Sequence, residues 1–128
     1  KILDKKFILL VQLNLHLIDY FLKILKISTE TIKSSELEIS KTKTERLVEI
    51  CSLLDASCYI SGKGGRNYVD ETLFQKSNIK LAYENFIHPK YSQLHGKFIE
   101  NLSIIDLILN EGSNSSKILR ESEFTQET

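Results

Sequence analysis

The chain is 128 residues long, which is typical of a single domain with one hydrophobic core. It carries 17 basic and 17 acidic side chains, so its net charge is zero and no overall field would attract nucleic acid or an anionic membrane. The two cysteines, Cys51 and Cys58, fit neither a CxxC redox pair nor a common zinc spacing, and we expect both to be reduced.

The most apolar segment, residues 7–27, is interrupted by charged side chains such as Asp19 and Lys23. It therefore lacks the roughly 20 nearly uncharged residues that a transmembrane helix needs. Because no signal-peptide pattern is visible either, we expect no membrane insertion and a cytoplasmic location. The sequence contains no methionine, even at position 1, which indicates a fragment of a longer protein.

The first third of the chain predicts two helices and a strand. Helical periodicity predicts a helix over residues 6–27, with an apolar face so broad that we expect it to be covered on most sides. Residues 28–33 alternate and are rich in β-branched side chains, a pattern typical of a short strand. A second helix is predicted after Lys43, with Thr44 as its cap.

The rest of the chain continues to alternate strands and helices. Strands are predicted at residues 58–60 and 79–83, and helices at 69–76, 102–109 and 116–121. Residues 84–100 are expected to form an irregular connection, and the tail after Phe124 is expected to be mobile.

This order is typical of an α/β fold with a small, mostly parallel sheet, a partial Rossmann-like three-layer arrangement. We assign residues 1–112 to this domain and residues 113–128 to a polar tail. In open parallel sheets ligands bind beyond the carboxyl ends of the strands. Ser35 and the glycine-bearing loop after residue 60 would emerge there.

That loop is the strongest local signal for ligand binding, and its candidate residues are Gly62, Lys63, Gly64, Gly65, Arg66, Asn67 and Tyr68. Glycines permit positive φ and the close approach of a ligand. Backbone N–H groups and the Arg66 guanidinium could converge on a phosphate or carboxylate. The alternative is a tight strand-to-helix turn with solvated cations, and the residues alone leave both interpretations open.

Two further features could contribute to a site. Tyr91, Gln93 and His95 alternate, so in an extended segment they would form a polar wall; an ordinary surface loop is the alternative. Asp106 lies within an apolar run, where an unpaired charge would cost several kcal/mol, and so needs a partner. We favour a structural hydrogen bond to a loop backbone or to Arg66 over a ligand-binding or general-base role. No metal-ligand cluster or cofactor motif is visible.

Five stretches together resemble the C-terminal part of the WbqC-like family. They are SSEL at residues 34–37, KTERLVEIC at 43–51, YISGKGGRNY at 59–68, YSQLHG at 91–96 and LSIIDL at 102–107. Members of this family resemble proteins of lipopolysaccharide, capsule and related sugar-modification clusters. The resemblance implies that an N-terminal half is absent from this chain.

The resemblance also implies a function. It suggests an enzyme of bacterial cell-surface polysaccharide or O-antigen biosynthesis, a transferase that acts on an activated or nucleotide-linked sugar. In this interpretation the glycine loop with Arg66 holds the anionic part, Tyr91 and Gln93 contact the sugar or base, and Asp106 orients the site or acts in catalysis. The alternative is a non-catalytic ligand-binding or partner module in which the helix over residues 7–27 docks on another protein or on the absent half. Reaction type, donor and acceptor stay open.

Overall fold

A computed structural model describes residues 5–122 in full and the backbone of residues 124–127. In this part of the chain the α-helices are α1 (Leu10–Ile24), α2 (Lys43–Leu53), α3 (Glu71–Lys76), α4 (Ile104–Glu111) and α5 (Ser115–Glu121). The strands are β1 (Cys58–Ser61), β2 (Lys80–Phe86) and β3 (Phe124–Glu127). Short 3-10 turns cover Ser34–Glu36, Lys63–Asn67 and Gly112–Asn114.

The chain groups into two compact units. The helical unit consists of Lys1–Glu30 and Pro89–Glu121 and contains α1, α4 and α5. The sheet unit consists of Thr31–His88 and Ser122–Thr128 and contains α2, α3 and the strands.

The sheet has the order β1-β2-β3, with β2 at its centre. β1 runs parallel to β2, and the register places Ser61 opposite Tyr83. β3 pairs antiparallel with β2, although a mobile tail was predicted there. The presence of helices together with a small sheet that contains one parallel strand pair confirms the predicted α/β class.

The core of the sheet unit forms around Phe74 of α3, whose side chain is 0% exposed. Tyr59 of β1 stacks on Phe74 with the ring centroids 5.3 Å apart, and Cys51 and Ile79 complete the buried cluster. Cys51 and Cys58 are both free thiols, as predicted. This cluster holds α3 against the strands and so fixes both ends of the loop between β1 and α3.

A hydrogen bond joins the starts of α2 and α3. The Thr44 hydroxyl accepts from the Asp70 N–H (3.1 Å), and Asp70 in turn caps α3 by accepting from the Thr72 N–H (3.0 Å). The bonds from Thr72 lower the pKa of the Asp70 carboxyl. The prediction that Thr44 caps α2 is wrong, because the extended residue at the N-cap is Thr42 and Thr44 is a buried residue within the first turn.

The strand predicted over residues 28–33 is also wrong. These residues form no strand, all of them are exposed, and the 3-10 turn Ser34–Glu36 follows them. β-branched residues favour a strand only where a neighbouring strand pairs with them and one face is buried. Residues 28–33 have neither in the structure.

In the helical unit, α1 is shorter than predicted, and none of its 15 residues is buried. Leu10, for example, is 72% exposed, so the described residues do not supply the cover that its apolar arc suggested. The end of α1 is tied to α5, because the Ser116 hydroxyl donates to the Leu25 carbonyl (2.7 Å). None of the described helices combines the length and the apolar character that crossing a bilayer requires.

Candidate functional site

The glycine-bearing loop forms the 3-10 turn Lys63–Asn67 directly after β1. The Gly65 N–H donates to the Gly62 carbonyl (2.9 Å), and the N–H groups of Tyr68 and Val69 both donate to the Gly65 carbonyl (3.0 and 2.9 Å). These three amides close the turn and do not point at a ligand. An anion held by this loop would therefore depend strongly on side chains.

Gly65 is buried where the turn meets the sheet. A Cβ atom at this position would overlap Ser61 Oγ, and it would lie 3.2 Å from Ser61 Cβ and 3.6 Å from Tyr83 Cε1. A Cβ at the neighbouring Gly64 would meet nothing within 4 Å. Close approach therefore does require a glycine at position 65, as expected, but the approaching groups belong to the protein itself.

The other expectation for these glycines, a positive φ, is wrong. Gly62 has φ of −65°, and the described glycines with positive φ are Gly96 and Gly112, which lie outside the loop. In this turn packing requires a glycine at position 65, and no glycine of the turn has a positive φ.

Arg66 and Glu71 contact Tyr83 of β2 on different sides. The Arg66 guanidinium carbon lies 4.2 Å from the centroid of the Tyr83 ring, within the range of a cation–π interaction. The Tyr83 hydroxyl donates to Glu71 Oε1 (2.9 Å). Burial raises the pKa of the Tyr83 phenol, the bond to Glu71 raises it further, and the Arg66 charge opposes both effects. The phenol is therefore a neutral donor over the physiological pH range.

A cavity of about 290 Å³ lies beside this cluster. Its charged lining groups are Arg66, Lys80 and Glu71, and its remaining lining residues are Phe74, Gln75, Ile79, Leu81 and Tyr83. Two cations and one carboxylate leave a net positive lining next to an aromatic and aliphatic wall. This arrangement suits a small anionic group attached to a less polar part of a ligand.

The remaining loop candidates do not line this cavity. Lys63, Asn67 and Tyr68 are exposed, Tyr68 by 74%, and Ser35 is exposed in the separate turn Ser34–Glu36. Ligand-binding roles for these side chains stay predictions. Of the loop side chains, Arg66 is the one that the fold directs to a cavity.

Asp106 is the centre of a hydrogen-bond network in the helical unit. Its Oδ2 accepts from the Tyr91 hydroxyl (2.7 Å) and from Gln93 Nε2 (2.9 Å), and its Oδ1 accepts from Asn110 Nδ2 (3.1 Å). Burial raises the pKa of Tyr91, and the bond to Asp106 raises it further. The carboxylate of α4 thus makes structural hydrogen bonds that hold the preceding loop, but its partners are side chains and not the loop backbone or Arg66 that we expected.

The Gln93 amide is used within the same network. Its Nε2 also donates to the Ile99 carbonyl (3.0 Å), and its Oε1 accepts from the Ile99 N–H (2.8 Å). Both amide hydrogens therefore have acceptors, which leaves Gln93 little capacity to bind a sugar. Tyr91, Gln93 and Asp106 form one cluster in the helical unit, while Arg66 belongs to the sheet unit. Ligand contacts by the three residues stay predictions.

Sequence reasoning missed Tyr83, Glu71 and Lys80 as cavity residues. Tyr83 was predicted only as part of the strand over residues 79–83, and Glu71 only as part of the helix over residues 69–76. The sequence offered one clue, namely that Tyr83 lies in the next predicted strand after the loop. If that strand pairs in parallel with β1, as it does in the structure, Tyr83 lies beside the end of β1. Among the residues that the structure describes, no cluster of three or more His, Cys, Asp or Glu side chains is placed to hold a metal ion.

The fold and the cavity define a small α/β protein with a cation-lined pocket beside a parallel strand pair. The chain belongs to the WbqC-like protein family, whose model matches residues 1–118. It is similar to the uncharacterized protein Rv1507c of Mycobacterium tuberculosis, with 36% identity over 109 residues that cover 84% of this chain and 47% of that relative. The chain thus spans about half the length of the curated relative it matches. No solved structure matches it significantly.

Proposed function

We propose that this chain is part of an enzyme of bacterial cell-surface polysaccharide or O-antigen biosynthesis, a transferase that binds an activated or nucleotide-linked sugar. Membership of the WbqC-like family supports the pathway. The observation that carries the proposal is the Arg66 guanidinium, held over Tyr83 at the edge of a cavity that Lys80 also lines.

The chemistry of the cavity favours the phosphate-bearing part of such a ligand. A guanidinium can donate two parallel hydrogen bonds to a phosphate, and an ammonium adds a second positive charge. At about 290 Å³ the cavity is near the lower limit of ligand pockets, which hold ~300–1,000 Å³. We therefore place the phosphates in it and the sugar outside it.

Calorimetric titration with UDP-N-acetylglucosamine and with pyrophosphate tests the site. A hydrogen bond to a charged group contributes ~1.5–3 kcal/mol, so Arg66→Ala should weaken binding about 10- to 100-fold. The matched control is Lys63→Ala, which removes an exposed charge from the same turn but not from the cavity lining, and should change affinity by at most about threefold. Equal affinity of the wild-type and Arg66→Ala proteins would exclude Arg66 from the binding site.

A non-catalytic partner module is the second candidate function. It is favoured by the apolar side chains that α1 leaves exposed, among them Leu10 at 72%, Val11 at 53% and Ile18 at 47%. Contiguous exposed apolar surface can mark an interaction site. Light scattering discriminates between the candidates, since a protein that stays monomeric at high concentration and binds a nucleotide-sugar is not a partner module.

A further inference from the structure

The position of Arg66 depends on how its turn packs against β2. Because Gly65 has no side chain, the turn lies directly on Ser61 and on the edge of the Tyr83 ring. The next residue, Arg66, is then carried over the face of that ring, with its Cζ atom 4.2 Å from the centroid. The absence of a side chain at Gly65 thus allows the Arg66 guanidinium to lie over the Tyr83 ring.

The Tyr83 ring is itself held in place. Its residue is 3% exposed and lies in the central strand, whose neighbours pair with it on both sides. At the far end of the ring the hydroxyl donates to Glu71 Oε1 (2.9 Å), in the first turn of α3. Backbone pairing and this hydrogen bond together leave the ring little freedom to turn or tilt.

We infer that Tyr83 is a positioning residue of the candidate anion site, whose ring holds the Arg66 guanidinium ready for a phosphate while Glu71 holds the ring. This inference rests on the proposed function. A free arginine side chain loses much rotational freedom when it grips a ligand, and ordering it before binding reduces that loss. The cation–π contact uses the face of the guanidinium, whereas hydrogen bonds to phosphate oxygens would use N–H groups that lie in its plane.

The contact can be tested without any ligand. In the unliganded wild-type protein, the ring current of Tyr83 should shift the Arg66 Nε–H proton upfield of the corresponding protons of Arg46 and Arg120. Tyr83→Leu should abolish this shift, whereas Tyr83→Phe should keep most of it because the ring remains. Tyr59→Phe is the matched control, since it removes a hydroxyl from the same unit and leaves the ring under Arg66 untouched.

Pyrophosphate titration of the same variants tests the positioning role. Because Arg66 is an exposed residue, we expect about 2- to 5-fold weaker binding for Tyr83→Leu, a smaller loss for Tyr83→Phe and no change for Tyr59→Phe. Rescue by phenylalanine distinguishes positioning by the ring from a general loss of structure. Because the wild-type shift needs no variant, the inference stays falsifiable even if Tyr83→Leu does not fold.

The outcomes separate the two claims. An Arg66 proton with no upfield shift in the wild-type protein overturns the inference, whatever binds. A shifted proton combined with unchanged pyrophosphate affinity of Tyr83→Leu overturns the positioning role alone, provided that Arg66→Ala weakens binding. Unchanged affinity of Arg66→Ala overturns the proposed function and the positioning role with it.

Discussion

Replacing Gly65 with alanine tests how closely the loop packs on the sheet. The new methyl group would overlap Ser61 Oγ and lie 3.2 Å from Ser61 Cβ. Ser61 is 4% exposed and belongs to a strand paired with β2, so it cannot move into solvent. Adding a methyl group to a well-packed interior costs ~1–3 kcal/mol. We therefore expect Gly65→Ala to lower the free energy of unfolding by about that amount.

Gly64→Ala, one residue earlier, is the control for this substitution. Its methyl group meets nothing within 4 Å, and the residue has no positive φ, so the change should be neutral or stabilising by ~0.4–1 kcal/mol. Ser61→Ala removes the atom that the new Cβ would overlap. In the Gly65→Ala background it should recover part of the lost stability, which a double-mutant cycle measures as coupling between the two positions.

Urea-induced unfolding followed by far-UV circular dichroism gives the stabilities, and pyrophosphate titration of the folded variants gives the effect on the site. Gly65→Ala should also weaken binding, because the turn that carries Arg66 must shift away from Tyr83. Equal stability of Gly65→Ala and Gly64→Ala would refute the packing argument.

Two further predictions concern other parts of the chain. Asp106→Ala should lower the free energy of unfolding by ~1–3 kcal/mol and speed hydrogen exchange at the Ile99 amide, because the Tyr91 and Gln93 donors lose their acceptor. Asp106→Asn should lower it less. Unchanged exchange in both variants would contradict the network. Iodoacetamide at pH 8 should alkylate Cys58 before Cys51, since burial raises the pKa of the Cys51 thiol and hides it; mass spectrometry that finds equal rates would disprove this.

The parts of the fold that could be predicted from sequence are those where the local sequence pattern agrees with the requirements of tertiary packing. β1, α3 and β2 were found because their apolar periodicity serves the core around Phe74. The strand over residues 28–33 was a false prediction because its pattern had no neighbouring strand to pair with. Thr44 was misassigned because its hydroxyl bonds to Asp70, 26 residues later, and local capping rules do not include such a partner.

The candidate site shows the same limit. The apolar surroundings of Asp106 in the sequence indicated that it needs a partner. They could not identify Tyr91 and Gln93, which lie 15 and 13 residues away, because these contacts depend on how the loop returns to α4. A glycine at position 65 was expected to allow close approach. Sequence cannot distinguish a ligand from the protein's own Ser61 as the approaching group, because both demand the absence of a Cβ.

The two initial interpretations of the glycine loop, a tight turn and an anion site, prove to be compatible. Tight packing at Gly65 lets Arg66 lie over the Tyr83 ring beside the cavity. The glycine that the turn needs for packing thus also positions the arginine that we propose binds an anion. Since Gly65, Tyr68 and Val69 use their amides to close the turn, these three N–H groups are not available to an anion. We expect the affinity of this site for an anion to come mainly from side-chain cations. It should therefore depend on how firmly the Tyr83 ring, which Glu71 holds in place, positions Arg66.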